Sequence, residues 1–321
     1  MQLRLPTLPA SVRPPRVLVI GAGVGGLTAA ALLARQGVQV HVLEMAPSPG
    51  GKLREVAVGS RMLDSGPTVL TMRWVFDALF DALGQDFGTQ VTLQRCEVLA
   101  RHAWGPEPKN RLDLLANLEA SAEAIGHMAG AAEARRYLAF CRRAEAVFNT
   151  LDGPFLRSPR PNPVSLAWRV GLHRMPDLLA IAPFRNLWQE LGRYFQDPRL
   201  RQLFGRYATY CGSSPFDAPA TLMLVAHVER AAVWQLEGGM QSLALALAQA
   251  ARSQGVQISC DQEVREITLS GRGADGVVLA NGERLVAPTR CCSTATPAPC
   301  ALGCWAGRCR PLWAAHPSPR R

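Results

Sequence analysis

The chain has 321 residues, enough for one large domain or two ordinary ones with a full core and a deep ligand pocket. Apolar residues make up 48% and charged residues 19%, a globular balance that excludes a disordered or collagenous chain. The net charge of +10 sits mainly at the ends: residues 1–16 carry three arginines and no acid, residues 288–321 five arginines and no acid. A nucleic-acid binder would gather its basic residues on a folded face, so no nucleic-acid partner is expected.

No apolar run is long enough to span a bilayer, and prolines and arginines interrupt the first 16 residues. Neither a membrane span nor a secretory signal is expected, which points to the cytoplasm. Cys96, Cys141, Cys211 and Cys260 are scattered singly, as thiols of a reducing compartment usually are. The other five cysteines crowd between Cys291 and Cys309.

Residues 1–15 read as a disordered, Pro-rich leader. The apolar run Val17–Ile20 then predicts a strand buried on both faces, and the Ala/Leu-rich stretch 27–35 predicts a helix closed by Gly37. Val38–Leu43 predicts a second strand, ending at Glu44. The strand-to-helix turn carries Gly21-Ala22-Gly23-Val24-Gly25-Gly26, a Gly-x-Gly-x-x-Gly pattern. Gly21 permits the tight turn, Gly23 lets the backbone approach a diphosphate, and Gly26 lets helix pack on strand. The helix start offers N–H groups to phosphate, and Glu44 can accept from both hydroxyls of a ribose. These residues predict a dinucleotide site.

The next segment departs from a nicotinamide-type fold. A glycine pair and a cation, Gly50-Gly51-Lys52, follow the acid within eight residues, and Leu63-Asp64-Ser65-Gly66-Pro67-Thr68 comes after them. A plain solvated loop with one lysine would read the same way locally. Together the segments resemble the FAD-binding amine oxidase and phytoene desaturase superfamily, with Lys52 where an arginine is usual; the charge is kept and the bidentate fork lost. Residues 63–77, 206–215, 218–229 and 236–240 narrow the resemblance to the bacterial carotenoid desaturases, and among them to the 1-hydroxycarotenoid 3,4-desaturases.

That resemblance implies an α/β fold: a Rossmann-like FAD-binding domain from residues 16–84 and 236–287, with an inserted, mostly helical substrate domain at 85–235. It implies FAD as cofactor and a carotenoid as substrate. Gly51 and Lys52 would lie on the phosphate side, Gly66, Pro67 and Thr68 at the flavin end, and Val264 would meet the adenine through its backbone. A plain hairpin would give the same sequence around Val264. Asp64, His227 and Glu229 lie in or beside the shared motifs, but each serves equally well as a structural hydrogen-bonding residue, so the catalytic residues stay unassigned. Another flavin oxidoreductase of the amine oxidase type, or an inactive fragment, remains open.

Residues 74–84 predict a short amphipathic helix, and 111–149 two Ala-rich helices broken near Gly126–Gly130. Residues 163–194 mix Trp168, Leu172, Phe184 and Trp188 with Arg169, His173, Arg174 and Arg185. This suits an interfacial helix on a membrane surface, and equally a core helix with a solvated basic face. A lipid-dissolved substrate favours peripheral membrane association. Gly238-Gly239 before a helix suggests close backbone approach to a flat ligand. Strands are expected at 256–259, 263–269 and 277–279, with a turn at 271–276.

From about residue 288 the strand pattern fails. Codons can be chosen for 291–300 that restore Leu-Phe-Asn-Gly-Asp two bases later, so this tail is expected to be irregular and out of frame. A zinc site from Cys291, Cys292, Cys300, Cys304, Cys309 and His316 competes, but the spacings form no paired knuckles, and no metal is expected.

Overall fold

The computed structural model describes residues 14–107, 110–157, 185–270, 273–286 and 290–293. The chain divides into two compact units, Met1–Gln94 with Gln235–Arg321, and Arg95–Trp234. The first crossing falls after Gln94 rather than after Gly84, because a short helix and strand beyond Gly84 stay with the first unit.

In the first unit, β1 (Arg16–Ile20), α1 (Val24–Arg35) and β2 (Gln39–Leu43) form the expected βαβ unit. The parallel sheet runs β10 (Gln257–Ser259), β2, β1, β14 (Arg290–Ser293). Central β1 is nearly all apolar and Val19 is fully buried, as a strand covered on both faces requires. Leu18 and Ile20 share one face with Leu43 and with Val277 and Leu279 of an antiparallel sheet, β11 (Val264–Ser270), β12 (Gly273–Leu279) and β13 (Arg284–Val286). By strand alternation Val17 and Val19 point the other way. Beside the sheet, α1 packs against α9 (Gly239–Ser253), whose Leu243, Ala244, Leu247 and Ala248 are buried.

β14 corrects the reading of an irregular tail from 288. Residues 290–293 run parallel to β1, with Val17 opposite Arg290 and Ile20 opposite Ser293. Ladder bonds are made by the backbone, so a segment of low strand propensity can pair along an otherwise unpaired edge of a buried strand. The rest of the tail, including Cys300, Cys304, Cys309 and His316 of the zinc alternative, lies outside the described residues, as does 163–184 of the basic amphipathic segment.

β3 (Glu55–Val58) and β4 (Arg61–Asp64) form a hairpin closed by Gly59 at φ +61°. Val56 and Leu63 are cross-strand partners and, with Val58 and Met62, are 42–58% exposed. α2 (Arg73–Ala82) follows β5 (Leu70–Thr71), and α3 (Phe87–Gln90) is capped by Asp86. β6 (Leu93–Arg95) and β9 (Val233–Leu236), where the chain passes between units, belong to a sheet of order β5–β9–β6.

The second unit is mostly helical. A hairpin of β7 (Val98–Ala103) and β8 (Arg111–Leu115) precedes α4 (Leu118–Ala129), α5 (Ala131–Leu151), α6 (Leu187–Tyr194), α7 (Pro198–Gly205) and α8 (Leu224–Ala231). The first part of the expected helix, 111–115, is therefore a strand. Its alternating Leu112 and Leu114 are buried, a period of two that five residues suffice to show. Asn117, Asn186 and Asp197 cap α4, α6 and α7, and Gly130, at φ +95°, breaks α4 from α5 as expected. Phe140, Phe195 and Phe204 pack with ring centroids 4.8–5.2 Å apart. Truncating Phe204 to alanine is expected to cost about 3–5 kcal/mol. Among the described residues no helix is long and apolar enough to cross a membrane.

Candidate nucleotide-binding site

β1 ends at Ile20 and the chain turns through Gly21, whose φ of +98° is reserved for glycine and whose N–H bonds to the Leu43 carbonyl at 2.8 Å. Gly23 is the N-cap of α1, with no side-chain cap and no acid in the first turn. The helix start thus keeps its orphan N–H groups and partial positive charge for a ligand. A Cβ added at Gly23 or Gly25 would meet no protein atom within 4 Å. Protein packing gives no reason for glycine at these two positions, whereas a ligand seated against the backbone would. The loop therefore fits a bound diphosphate.

Glu44 lies at the end of β2 and is only 6% exposed. Its Oε2 accepts the Ala22 N–H at 2.6 Å, and its Oε1 accepts the Ala46 N–H at 2.9 Å. The Glu44 N–H and carbonyl are tied to Ser259 and Gln262, so backbone and carboxylate are both fixed. Each carboxylate oxygen keeps a second acceptor direction, the geometry needed to receive two hydroxyls. Nearby, burial and then the Glu44 charge push the Cys260 thiol above its ordinary pKa, leaving it protonated and inert.

The second glycine loop packs on the first. The Gly50 N–H bonds to the Ala22 carbonyl at 2.9 Å, and Gly23 and Gly50 form a parallel bridge. Gly51, at φ +60°, could not carry a Cβ without approaching the Gly23 Cα to 3.2 Å. Lys52 follows it in sequence and is exposed, with no ion pair among the described residues. A Cβ at Gly66 would overlap the Lys52 carbonyl oxygen, so the Ser65-Gly66-Pro67-Thr68 segment is laid directly on this loop. The Ser65 N–H bonds to the Arg54 carbonyl at 2.8 Å, and Gly66, Pro67 and Thr68 are exposed. Val264 begins β11 opposite Leu279 and packs on the cluster containing Ile20 and Leu43, near the ends of β1 and β2. Fold and loops bring all the nominated residues into this one unit.

Within the protein, Gly239 has a close neighbour of its own. A Cβ at Gly239 would come within 2.9 Å of Asp64 Oδ1 and 3.2 Å of Glu55 Oε1, and Asp64 Oδ1 accepts the Met240 N–H at 2.9 Å. The glycine admits a carboxylate cap for α9. Asp64 is thereby a structural acceptor.

In the second unit, Glu229 is buried and accepts from both Nη atoms of Arg206 at 2.9 and 2.7 Å, from Tyr207 Oη at 3.2 Å and from Tyr210 Oη at 2.8 Å. Burial, then the Glu229 charge, pushes the Tyr210 hydroxyl up to about 12. His227 packs against Phe148 with the rings tilted by 35° and their centroids 4.8 Å apart, and burial holds its pKa below the ordinary value. His102, stacked on Trp104, is lowered by burial and then by the Arg206 charge. Arg206 opens one of the segments that carry the resemblance, but nothing in the sequence paired it with Glu229, 23 residues away. Among the described residues no group of three or more ligands could hold a metal ion.

Residues 24–295 match the model of the family described as flavin containing amine oxidoreductase. The chain is 49% identical to hydroxyneurosporene desaturase of Rubrivivax gelatinosus over 86% of its own length and 52% of that protein. It is 43% identical to hydroxyneurosporene desaturase of Cereibacter sphaeroides over 85% of the chain and 54% of that protein. It thus spans about half the length of the curated relatives it matches. Among solved structures, an oxidoreductase from Methanosarcina mazei shares the fold with a TM-score of 0.55 at 17% identity, over 89% of this chain and 60% of that one. The glycine turn, the pinned carboxylate and the second glycine loop are thus carried on a chain that belongs to the flavin-containing amine oxidoreductases.

Proposed function

We propose that the chain binds FAD and serves the dehydrogenation of a carotenoid carbon–carbon single bond, the 3,4-bond of an acyclic 1-hydroxy or 1-methoxy carotenoid. The substrate assignment is supported by the relatives named hydroxyneurosporene desaturase. The cofactor assignment is carried by one observation: the Glu44 carboxylate is held by the Ala22 and Ala46 N–H groups beside an uncapped helix start with open space at Gly23 and Gly25.

In this reading Gly23, Gly25 and Gly26 hold the diphosphate through backbone N–H groups, Gly21 and Ala22, whose N–H groups are taken by the Leu43 carbonyl and Glu44, shape the turn against it, and Glu44 accepts from the adenosine ribose. Lys52 and Gly51 face the phosphates, where the ammonium offsets their charge. Gly66, Pro67 and Thr68 border the ring system, and Val264 meets the adenine through its backbone. Bound flavin supplies a two-electron acceptor for carbon-bound hydrogen. The unit Arg95–Trp234 takes the polyene. Asp64 and Glu229 are engaged in structural bonds and His227 in ring packing, and none is assigned proton transfer. A lipid-dissolved substrate and the mixed basic and aromatic segment 163–194 support peripheral attachment to the cytoplasmic face of a membrane.

The test is direct. The purified chain is titrated with FAD, followed by flavin fluorescence, and then incubated in liposomes carrying an acyclic 1-hydroxycarotenoid. Saturable uptake and a red shift of the carotenoid spectrum are expected. Absence of any FAD uptake overturns the cofactor reading; uptake without a spectral change overturns the desaturation reading and marks the chain as nucleotide-binding alone.

A further inference from the structure

The Pro49–Gly50 peptide is held at both ends. Its N–H bonds to the Ala22 carbonyl at 2.9 Å, and its carbonyl accepts Gln241 Nε2 at 2.9 Å. Gln241 stands in the first turn of α9, one residue after Met240, whose N–H is taken by Asp64. With both ends of one peptide fixed, its plane cannot rotate, so the loop that carries the N–H groups of Gly51 and Lys52, one and two peptides further on, starts from a fixed anchor. Neither of those two N–H groups has an acceptor among the described residues.

The other half of the Gln241 amide bears on this contact. Gln241 Oε1 is buried without a hydrogen-bond partner among the described residues, and a Cβ at Gly50 would lie 3.1 Å from it. Burying an unpaired carbonyl costs stability that a leucine or methionine of similar size would not incur. The amide orientation is set by chemistry, since only the NH2 group can donate to the Pro49 carbonyl. An orphaned acceptor is tolerated here alongside a single donor bond to the loop that carries Gly51 and Lys52.

We propose that Gln241 is a positioning residue of the nucleotide cradle, locking the Pro49–Gly50 peptide so that the Gly50-Gly51-Lys52 loop presents its backbone to the diphosphate. The inference rests on the reading that this cradle takes FAD, and it deepens that reading by giving the phosphate loop its support. Through the Gly23–Gly50 bridge the same lock steadies the first glycine turn. Glu44 makes no bond to Gln241 or to the Pro49–Gly50 peptide itself, and its second anchor, the Ala46 N–H, lies apart from them. Diphosphate recognition should therefore depend on Gln241 while ribose recognition does not.

The sequence contains only two lysines, Lys52 in this loop and Lys109 in the other unit. A lysine-specific protease thus reports on the loop with an internal control and without any ligand. In the unliganded Gln241→Met chain, cleavage after Lys52 should accelerate several-fold while cleavage after Lys109 keeps its wild-type rate. Kd values for FAD and ADP-ribose should rise about three- to tenfold, the effect of one lost hydrogen bond, with the Kd for AMP unchanged. Gln241→Leu, which is β-unbranched and slightly smaller, serves as the second variant should Met disturb folding. Unchanged cleavage at Lys52 in both variants, or an equal loss of affinity for FAD, ADP-ribose and AMP, overturns the inference. Faster cleavage at Lys52 with wild-type FAD affinity overturns it too, and leaves the cofactor reading standing. A wild-type chain that takes up no FAD sinks the cofactor reading itself, with Gln241 then reduced to a loop brace.

Discussion

Replacing Glu44 separates its structural task from its recognition task. The residue is 6% exposed and its carboxylate accepts two backbone N–H groups, one from fully buried Ala22 and one from half-buried Ala46. In Glu44→Ala both donors lose their acceptor. The Ala22 N–H has no route to water and costs about 1–3 kcal/mol, whereas the Ala46 N–H recovers part of its loss by solvation. Glu44→Gln keeps one acceptor, which will turn toward Ala22 and place the NH2 group against Ala46, at a cost of about 1 kcal/mol. Urea unfolding of the first unit should therefore rank wild type above Gln above Ala, with a gap of about 1–2 kcal/mol between the two variants. FAD affinity should fall in both, because neither offers two acceptors to a ribose. Equal stability of all three chains would show that the Ala22 N–H is satisfied elsewhere and would refute the geometry on which the site is built.

Gly66→Ala should abolish tight loop packing, since its methyl group would overlap the Lys52 carbonyl; a loss of about 2 kcal/mol or more in unfolding free energy is expected, together with weaker FAD uptake. Glu229→Gln should destabilise the second unit by about 2–3 kcal/mol, below the range for a fully buried pair because the Arg206 side chain is 28% exposed, and near-ultraviolet dichroism should report the loosened tyrosines. His41, His102 and His227 all have lowered pKa values, burial being the largest cause in each. The unfolded chain then binds protons first as pH falls, so their share of stability is present above about pH 6.5 and lost below it. A melting temperature that falls between pH 7.5 and 5.5, with a shallower slope in His102→Gln, is the expected result.

The first half of the site was legible because its chemistry is local. The turn at Gly21–Gly26 and the acid at Glu44 sit within one βαβ unit, where sequence spacing fixes spatial relation. Gly51, Lys52 and Gly66 were legible through family resemblance, and the structure supplies a reason for the glycines: contact with Gly23 and with the Lys52 carbonyl. Gln241 gave no signal, since one amide in an Ala-rich helix looks solvated until Pro49 is seen beside it. The Arg206–Glu229 pair was illegible for the same reason, being joined by tertiary folding. Strand β8 was misread because alternation over five residues competed with the Ala-rich pattern that follows it. Strand β14 was missed because its existence depends on the free edge of β1 and hardly on its own residues.

The ribbon at residues 55–64 carries Val56, Val58, Met62 and Leu63 into solvent on a two-stranded hairpin whose outer edges pair with no further strand among the described residues. Backbone donors along a free edge, beside oily side chains, are the ingredients of sticking between molecules. In a concentrated preparation, light scattering should rise with protein concentration, and a mild detergent or an added glutamate at Val58 should suppress it.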